Sequence, residues 1–218
     1  MVNRINNNFS EAIKTEIRDD SSTCETIRTS LSQLGMLFGQ EIIGGEYVTL
    51  QEITTSQNVK IIGNKIVNKK TLIISTRDDY RFFAAGIAYL FKDCLMAYMD
   101  FGGKRGLEAL THPVRAMSLP ELRHGEQIST VIVAKSVLAT GCTAISLLRK
   151  AMSEYFPDDI YVCSAFYTEK GIRELTADFP KVKIYVTGEP DMLDNNEMLL
   201  PGIGDLDSRV NTDLDWAK

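Results

Sequence analysis

The chain has 218 residues, 44% of them hydrophobic and 24% charged, with a formal net charge of −5. That length suits one sizeable α/β domain and is short for two. The acidic balance argues against a nucleic-acid partner, and no apolar run reaches membrane-spanning length.

The N-terminus, "MVNRINNNFSEAIK", lacks the apolar core of a secretory signal, so a cytoplasmic protein is expected. Helices are predicted over the first forty residues, where "FSEAIKTEIRDD" and "CETIRTSLSQLGMLFGQEI" space their apolar side chains at three and four. After a glycine pair, "GGEYVTLQEITTSQNVKIIG" is rich in Val, Thr, Ile and Tyr, with a turn-like centre. It reads as a hairpin, either a plain edge hairpin or an arm reaching another subunit.

From Lys70 the pattern alternates. "TLIIS", "CLMAYM", "TVIVA", "IYVCSAF" and "VKIYVT" read as strands covered on both faces. "DDYRFFAAGIAYLFKD", "TAISLLRKAMSEYF" and "TEKGIRELTADF" read as helices between them. Such alternation predicts a mostly parallel sheet with helices on both faces. One domain is expected over 1–218: N-terminal helices in 1–45, a β-hairpin in 46–62 and an α/β core in 70–218.

Cys24, Cys94, Cys142 and Cys163 form no CxxC pair, and His112 and His124 sit in no metal-binding pattern. Neither a protein metal site nor a Ser-His-Asp enzyme has support. The stretch "KSVLATGCTA", residues 135–144, ends a strand and opens a helix. Gly141 permits a sharp turn, the amides after it would be unpaired, and Thr140 and Thr143 add hydroxyls. The loop is either a phosphate cradle or an ordinary helix cap. Cys142 is either a nucleophile at a helix start or a small residue in a tight turn. Trp216, in the acidic tail, reads as a packing anchor.

The loop resembles the phosphoribosyl pyrophosphate loop of uracil phosphoribosyltransferases, D-P-M-L-A-T-G-G-S. "LLPGIGDLDSR", residues 199–209, is similar to that family's uracil-binding segment, Y-I-V-P-G-L-G-D-A-G-D, and "TLIISTRDDYRFF" takes the place of a strand ending in R-A-G-L. The resemblance spans at least Thr29 to Arg209. It implies the phosphoribosyltransferase fold, a homodimer embracing through the hairpin arm, and transfer of ribose 5-phosphate from phosphoribosyl pyrophosphate to uracil, giving UMP in pyrimidine salvage. Magnesium would enter on pyrophosphate, if the chain is active. By the same resemblance Leu138, Ala139, Thr140, Gly141, Cys142, Thr143 and Ala144 would hold the 5-phosphate. Arg77 would bind pyrophosphate, and Leu199, Gly202, Ile203, Gly204 and Asp205 the base.

Several positions depart from the family pattern. Lys135 replaces the ribose-binding Asp, Asp78 and Asp79 follow Arg77 where Ala and Gly are usual, and Met198 replaces Tyr. The family's Tyr-Arg pair is Tyr98-Met99 here, with Lys104 and Arg105 nearby as candidates for a compensating cation. An ammonium cannot accept hydrogen bonds from two sugar hydroxyls. The reading is a family homologue with weakened or absent activity that keeps a phosphate- or nucleotide-binding role, such as for UMP, or a regulatory one. The alternatives are an active transferase on uracil or another base, and a non-catalytic assembly subunit.

Overall fold

A computed structural model describes residues 1–104, 106–195 and 197–211. It opens on a strand, β1 (Val2–Ile5), followed by α1 (Asn8–Arg18) and α2 (Cys24–Glu46). The side chains of Asn7 and Thr23 cap these helices, accepting from the amides of Ser10 at 2.8 Å and Thr26 at 3.1 Å. Strands β2 (Val48–Thr54) and β3 (Lys60–Ile66) form the hairpin, and β4 (Thr71–Thr76) follows. Next come α3 (Arg77–Asp79), a π turn over Tyr80–Ala84, α4 (Ala85–Ala88), β5 (Cys94–Asp100), α5 (Glu108–Thr111) and β6 (Ala116–Ser118). The order continues with β7 (Thr130–Ala134), β8 (Val137–Leu138), α6 (Cys142–Tyr155), β9 (Asp159–Ser164), β10 (Phe166–Tyr167) and α7 (Glu169–Asp178). It finishes with β11 (Lys183–Thr187), β12 (Met192–Leu193), β13 (Leu199–Leu200) and α8 (Leu206–Asn211).

The main sheet runs β1-β11-β9-β7-β4-β5-β6, and every pairing is parallel except β5 with β6. All residues of β4 and β7 are buried, which is why these strands read as unbroken apolar runs rather than alternating ones. One face is covered by α1, α2 and the π turn through Ile17, Leu34, Phe38 and Phe83. The other is covered by α6 and α7 through Leu147, Leu148 and Leu175. Each such side chain contributes about 1.5–3 kcal/mol by leaving water. The chain moves from β4 to β5 on one side, then returns to place β7 on the other side of β4. That reversal opens a crevice beyond the carboxyl ends of β4 and β7, where open α/β sheets receive ligands.

The predicted parallel sheet, N-terminal helices and hairpin are all present, with local differences. Residues 1–45 are not wholly helical, because β1 pairs with the sheet edge at β11. Helix α2 runs through Gly44 and Gly45 instead of ending at them. The hairpin strands occupy 48–66 rather than 46–62. The helix after β4 starts at Arg77 and ends at Ala88, short of the span to Asp93, with the π turn within it.

Candidate functional site

The crevice is a cleft of ≈ 530 Å³ at the carboxyl ends of the central strands. All of Leu138–Ala144 line it, with Arg77, Lys135, Asp78, Asp79, Met198, Leu199, Gly202, Ile203 and Gly204. Asp205 is not in the lining, although its neighbours Gly204 and Leu206 are.

The loop is fixed by local chemistry. Gly141 takes φ +82, and a Cβ there would stand 2.9 Å from the Gly171 carbonyl oxygen, so both the dihedral and the space call for glycine. Thr168 Oγ1 donates to the Ala139 carbonyl at 2.6 Å and accepts from the Gly171 amide at 2.9 Å, binding the loop to the start of α7. The short pairing of β8 with β10 holds its other end. The first ladder bond of α6 runs from the Ile145 amide to the Gly141 carbonyl at 2.9 Å. Among the described residues, the amides of Thr140, Gly141, Cys142, Thr143 and Ala144 have no protein acceptor. They stand at the positive end of the α6 dipole, an arrangement suited to an anion.

Asp79 and Lys135, two separate departures in the sequence, are bound to each other. Lys135 Nζ donates to Asp79 Oδ2 at 2.7 Å, joined by Thr76 Oγ1 at 2.9 Å, while the Ser136 amide reaches Oδ1 at 3.3 Å. Asp79 is 2% exposed. The pair bridges the carboxyl ends of β4 and β7. Asp79 does not offer a free negative charge to pyrophosphate, and Lys135 is not an unpaired cation drawing in phosphate. The opposite charges cancel locally, so these two substitutions are one coupled change.

Asp78, the residue before Asp79 in α3, opens onto the cleft, whose walls displace part of the water around it. Loss of surrounding solvent pushes its carboxyl up to about 6, helped by the charges of Asp207 and Asp79. Arg77 Nη1 donates to Asp100 Oδ2 at 2.9 Å, and Arg115 reaches the same oxygen from Nε at 3.0 Å and Nη2 at 2.7 Å. Burial opposes ionisation of Asp100, but the Gly102 amide and the two guanidinium groups outweigh it and hold the carboxyl below the usual range. Arg115 could not be found by motif, since it lies just before β6, a three-residue antiparallel edge strand without a pattern. Tyr98 packs edge-to-face on Tyr80, ring centroids 5.2 Å apart, and Met99 is buried. Lys104 lines the cleft; Arg105 and Trp216 lie outside the described residues.

The opposite wall is the turn after β13. The Leu200–Pro201 peptide is cis, and Gly202 and Gly204 have φ of +76 and +68. Leu199 and Ile203 are buried, whereas Met198 is 40% exposed toward the cleft.

Comparisons with known proteins agree with this architecture. A uracil phosphoribosyltransferase of Sulfolobus acidocaldarius is 26% identical over 203 residues, covering 90% of this chain and 92% of that protein. A uracil phosphoribosyltransferase of Natronomonas pharaonis is 26% identical over 207 residues, covering 89% of each. A solved structure described as the AQ2163 protein from Aquifex aeolicus shares the fold at TM-score 0.80, with 20% identity, over 96% of this chain and 97% of that one. The family model described as uracil phosphoribosyltransferase matches residues 5–211, nearly the full length, so the chain belongs to the uracil phosphoribosyltransferase family.

Proposed function

We propose that the cleft binds UMP or a closely related nucleoside monophosphate, and that the chain carries out the family transfer of ribose 5-phosphate to uracil only weakly. The phosphate would sit on the amides of residues 140–144, and the base against Leu199, Gly202, Ile203 and Gly204. Arg77 would face pyrophosphate. The Asp79–Lys135 pair carries the weakened-turnover half of this reading. At the position where the family has the carboxylate that holds the ribose hydroxyls, this chain has an ammonium already committed to a buried carboxylate.

Displacement at the sugar depends on holding the reacting atoms in line and stabilising developing charge. A sugar whose hydroxyls lack an acceptor at that point is held less firmly, and turnover suffers more than phosphate binding. Magnesium, when bound, would neutralise charge on pyrophosphate. It usually joins one or two carboxylates with substrate phosphates, and Asp78 is a cleft carboxylate that fits such sharing. We also assign the protein a homodimeric assembly through the hairpin.

The test pairs calorimetric titration of UMP with an assay of UMP formation from uracil, phosphoribosyl pyrophosphate and magnesium. UMP binding with turnover far below that of an active family member is the expected result. Lys135→Asp alone should not restore turnover, because it places a second carboxylate beside Asp79. Family-like turnover by the unmodified protein would refute the weak-transfer half; failure to bind UMP would refute the whole reading.

A further inference from the structure

Two arginines hold the 201–204 turn from behind the cleft. Arg18, the last residue of α1, donates from Nη1 to the Gly202 carbonyl at 2.8 Å and from Nη2 to Asp191 Oδ1 at 2.7 Å. Its guanidinium lies over the Phe166 ring, 4.9 Å from the centroid. Arg209, in α8, donates from Nη1 to the carbonyls of Ile203 at 2.8 Å and Ile17 at 2.6 Å, and from Nη2 to Asp19 O at 2.5 Å. Neither arginine lines the cleft, but Gly202, Ile203 and Gly204 do.

A trans peptide is planar, so the N–H of one residue points opposite to the carbonyl of the residue before it. Among the described residues the one cis peptide is Leu200–Pro201; the two that follow Gly202 and Ile203 are trans. Drawing the carbonyls of Gly202 and Ile203 toward α1 and α8 therefore turns the amides of Ile203 and Gly204 away from those helices. Among the described residues neither amide has a protein acceptor.

We propose that Arg18 and Arg209 are positioning residues, which aim the Ile203 and Gly204 amides into the cleft as paired donors for a carbonyl-bearing nucleobase. The inference rests on the nucleotide reading above and adds its control from α1 and α8. A guanidinium is suited to this task because its planar fork reaches two acceptors at fixed angles, which an ammonium cannot do. Without the clamp, the peptides can rotate and each donor must be ordered anew when ligand arrives.

The experiment compares UMP with ribose 5-phosphate, which carries the same phosphate and sugar without a base. Arg18→Ala removes the guanidinium bonded to buried Asp191 and is open to misfolding, so Arg18→Lys is the informative variant there, paired with Arg209→Ala. Each should raise the Kd for UMP about tenfold, as for the loss of one ordered hydrogen bond, and change that for ribose 5-phosphate by no more than about twofold. Circular dichroism establishes that the variants are folded. Equal losses for both ligands, or unchanged UMP affinity in both folded variants, would overturn the inference. If the unmodified protein does not bind UMP, the nucleotide reading fails first, and this inference fails with it.

Discussion

Asp79 and Lys135 are 56 positions apart in the chain, and only the sheet order brings them together. Read along the sequence, each is a separate loss of a family group. In space, one charge answers the other, and Asp78 is left as the carboxylate that meets solvent in that wall. Its behaviour gives a pH prediction. With the carboxyl raised to about 6, Asp78 is neutral in acid and becomes an anion beside the cleft as pH rises through that value. Sulfate remains a dianion over the same interval, so a change in its binding reports on the protein. Sulfate affinity should fall as pH rises through about 6, and Asp78→Asn should flatten the profile at the higher affinity. The sign for folding is the same: the raised carboxyl contributes stability that is fully present below 3.8 and lost as pH rises through about 6. Equilibrium dialysis with labelled sulfate checks the binding, and a flat profile in the unmodified protein would contradict it.

At the scale of elements, legibility followed burial. Strands β4, β7, β9 and β11 are covered on both faces, and their continuous apolar runs identified them. The strand β1 is four residues with Asn and Arg at its centre, and it is a strand because β11 offers an edge; no local signal reports a distant edge. The phosphate-loop candidates were legible as a motif, whereas Arg18, Arg115 and Arg209 look like surface arginines until their acceptors are placed. The same holds for the close approach that seats α3. A Cβ on Gly86 would lie 2.3 Å from the Ser32 carbonyl oxygen, and one on Gly35 would lie 2.3 Å from that of Phe83. Backbone therefore packs on backbone where α2 crosses the π turn and α4, and this crossing supports the segment bearing Arg77, Asp78 and Asp79. Replacing Gly86 by Ala gains up to about 1 kcal/mol of helix propensity, but the collision is with backbone and cannot be relieved by a rotamer. Gly86→Ala should lose roughly 1–3 kcal/mol of stability in urea unfolding, the range for an over-packed core. A variant as stable as the unmodified protein would show that the two helical segments can separate without cost.

At the scale of the whole molecule, the proposed assembly turns on the hairpin. It is a separate two-stranded sheet, pairing Val48 with Ile66 through to Thr54 with Lys60. Leu50, Ile62 and Ile66 share one of its faces, 75%, 73% and 45% exposed, and Ile53 lies opposite Ile61 on the other. A hairpin of this kind is marginal in water by itself, and a contiguous exposed apolar face marks a surface that another chain covers. The hairpin also carries an ion pair, Glu52 with Lys60 at 3.0 Å, beside Ile62 on the Leu50 face. Charge at that point favours one docking register over indiscriminate association. The expected assembly is a homodimer in which each hairpin lies on the other subunit. Replacing Leu50 and Ile62 together by Lys should convert it to a monomer, since two ammonium groups would have to be buried in the contact. The hairpin lies outside the cleft lining, so UMP affinity of the monomer separates assembly from binding: unchanged affinity shows a self-sufficient cleft, and lost affinity shows one completed by the partner. Sedimentation velocity at micromolar protein decides the matter, and a single monomeric species for the unmodified chain would remove the hairpin from any role in assembly.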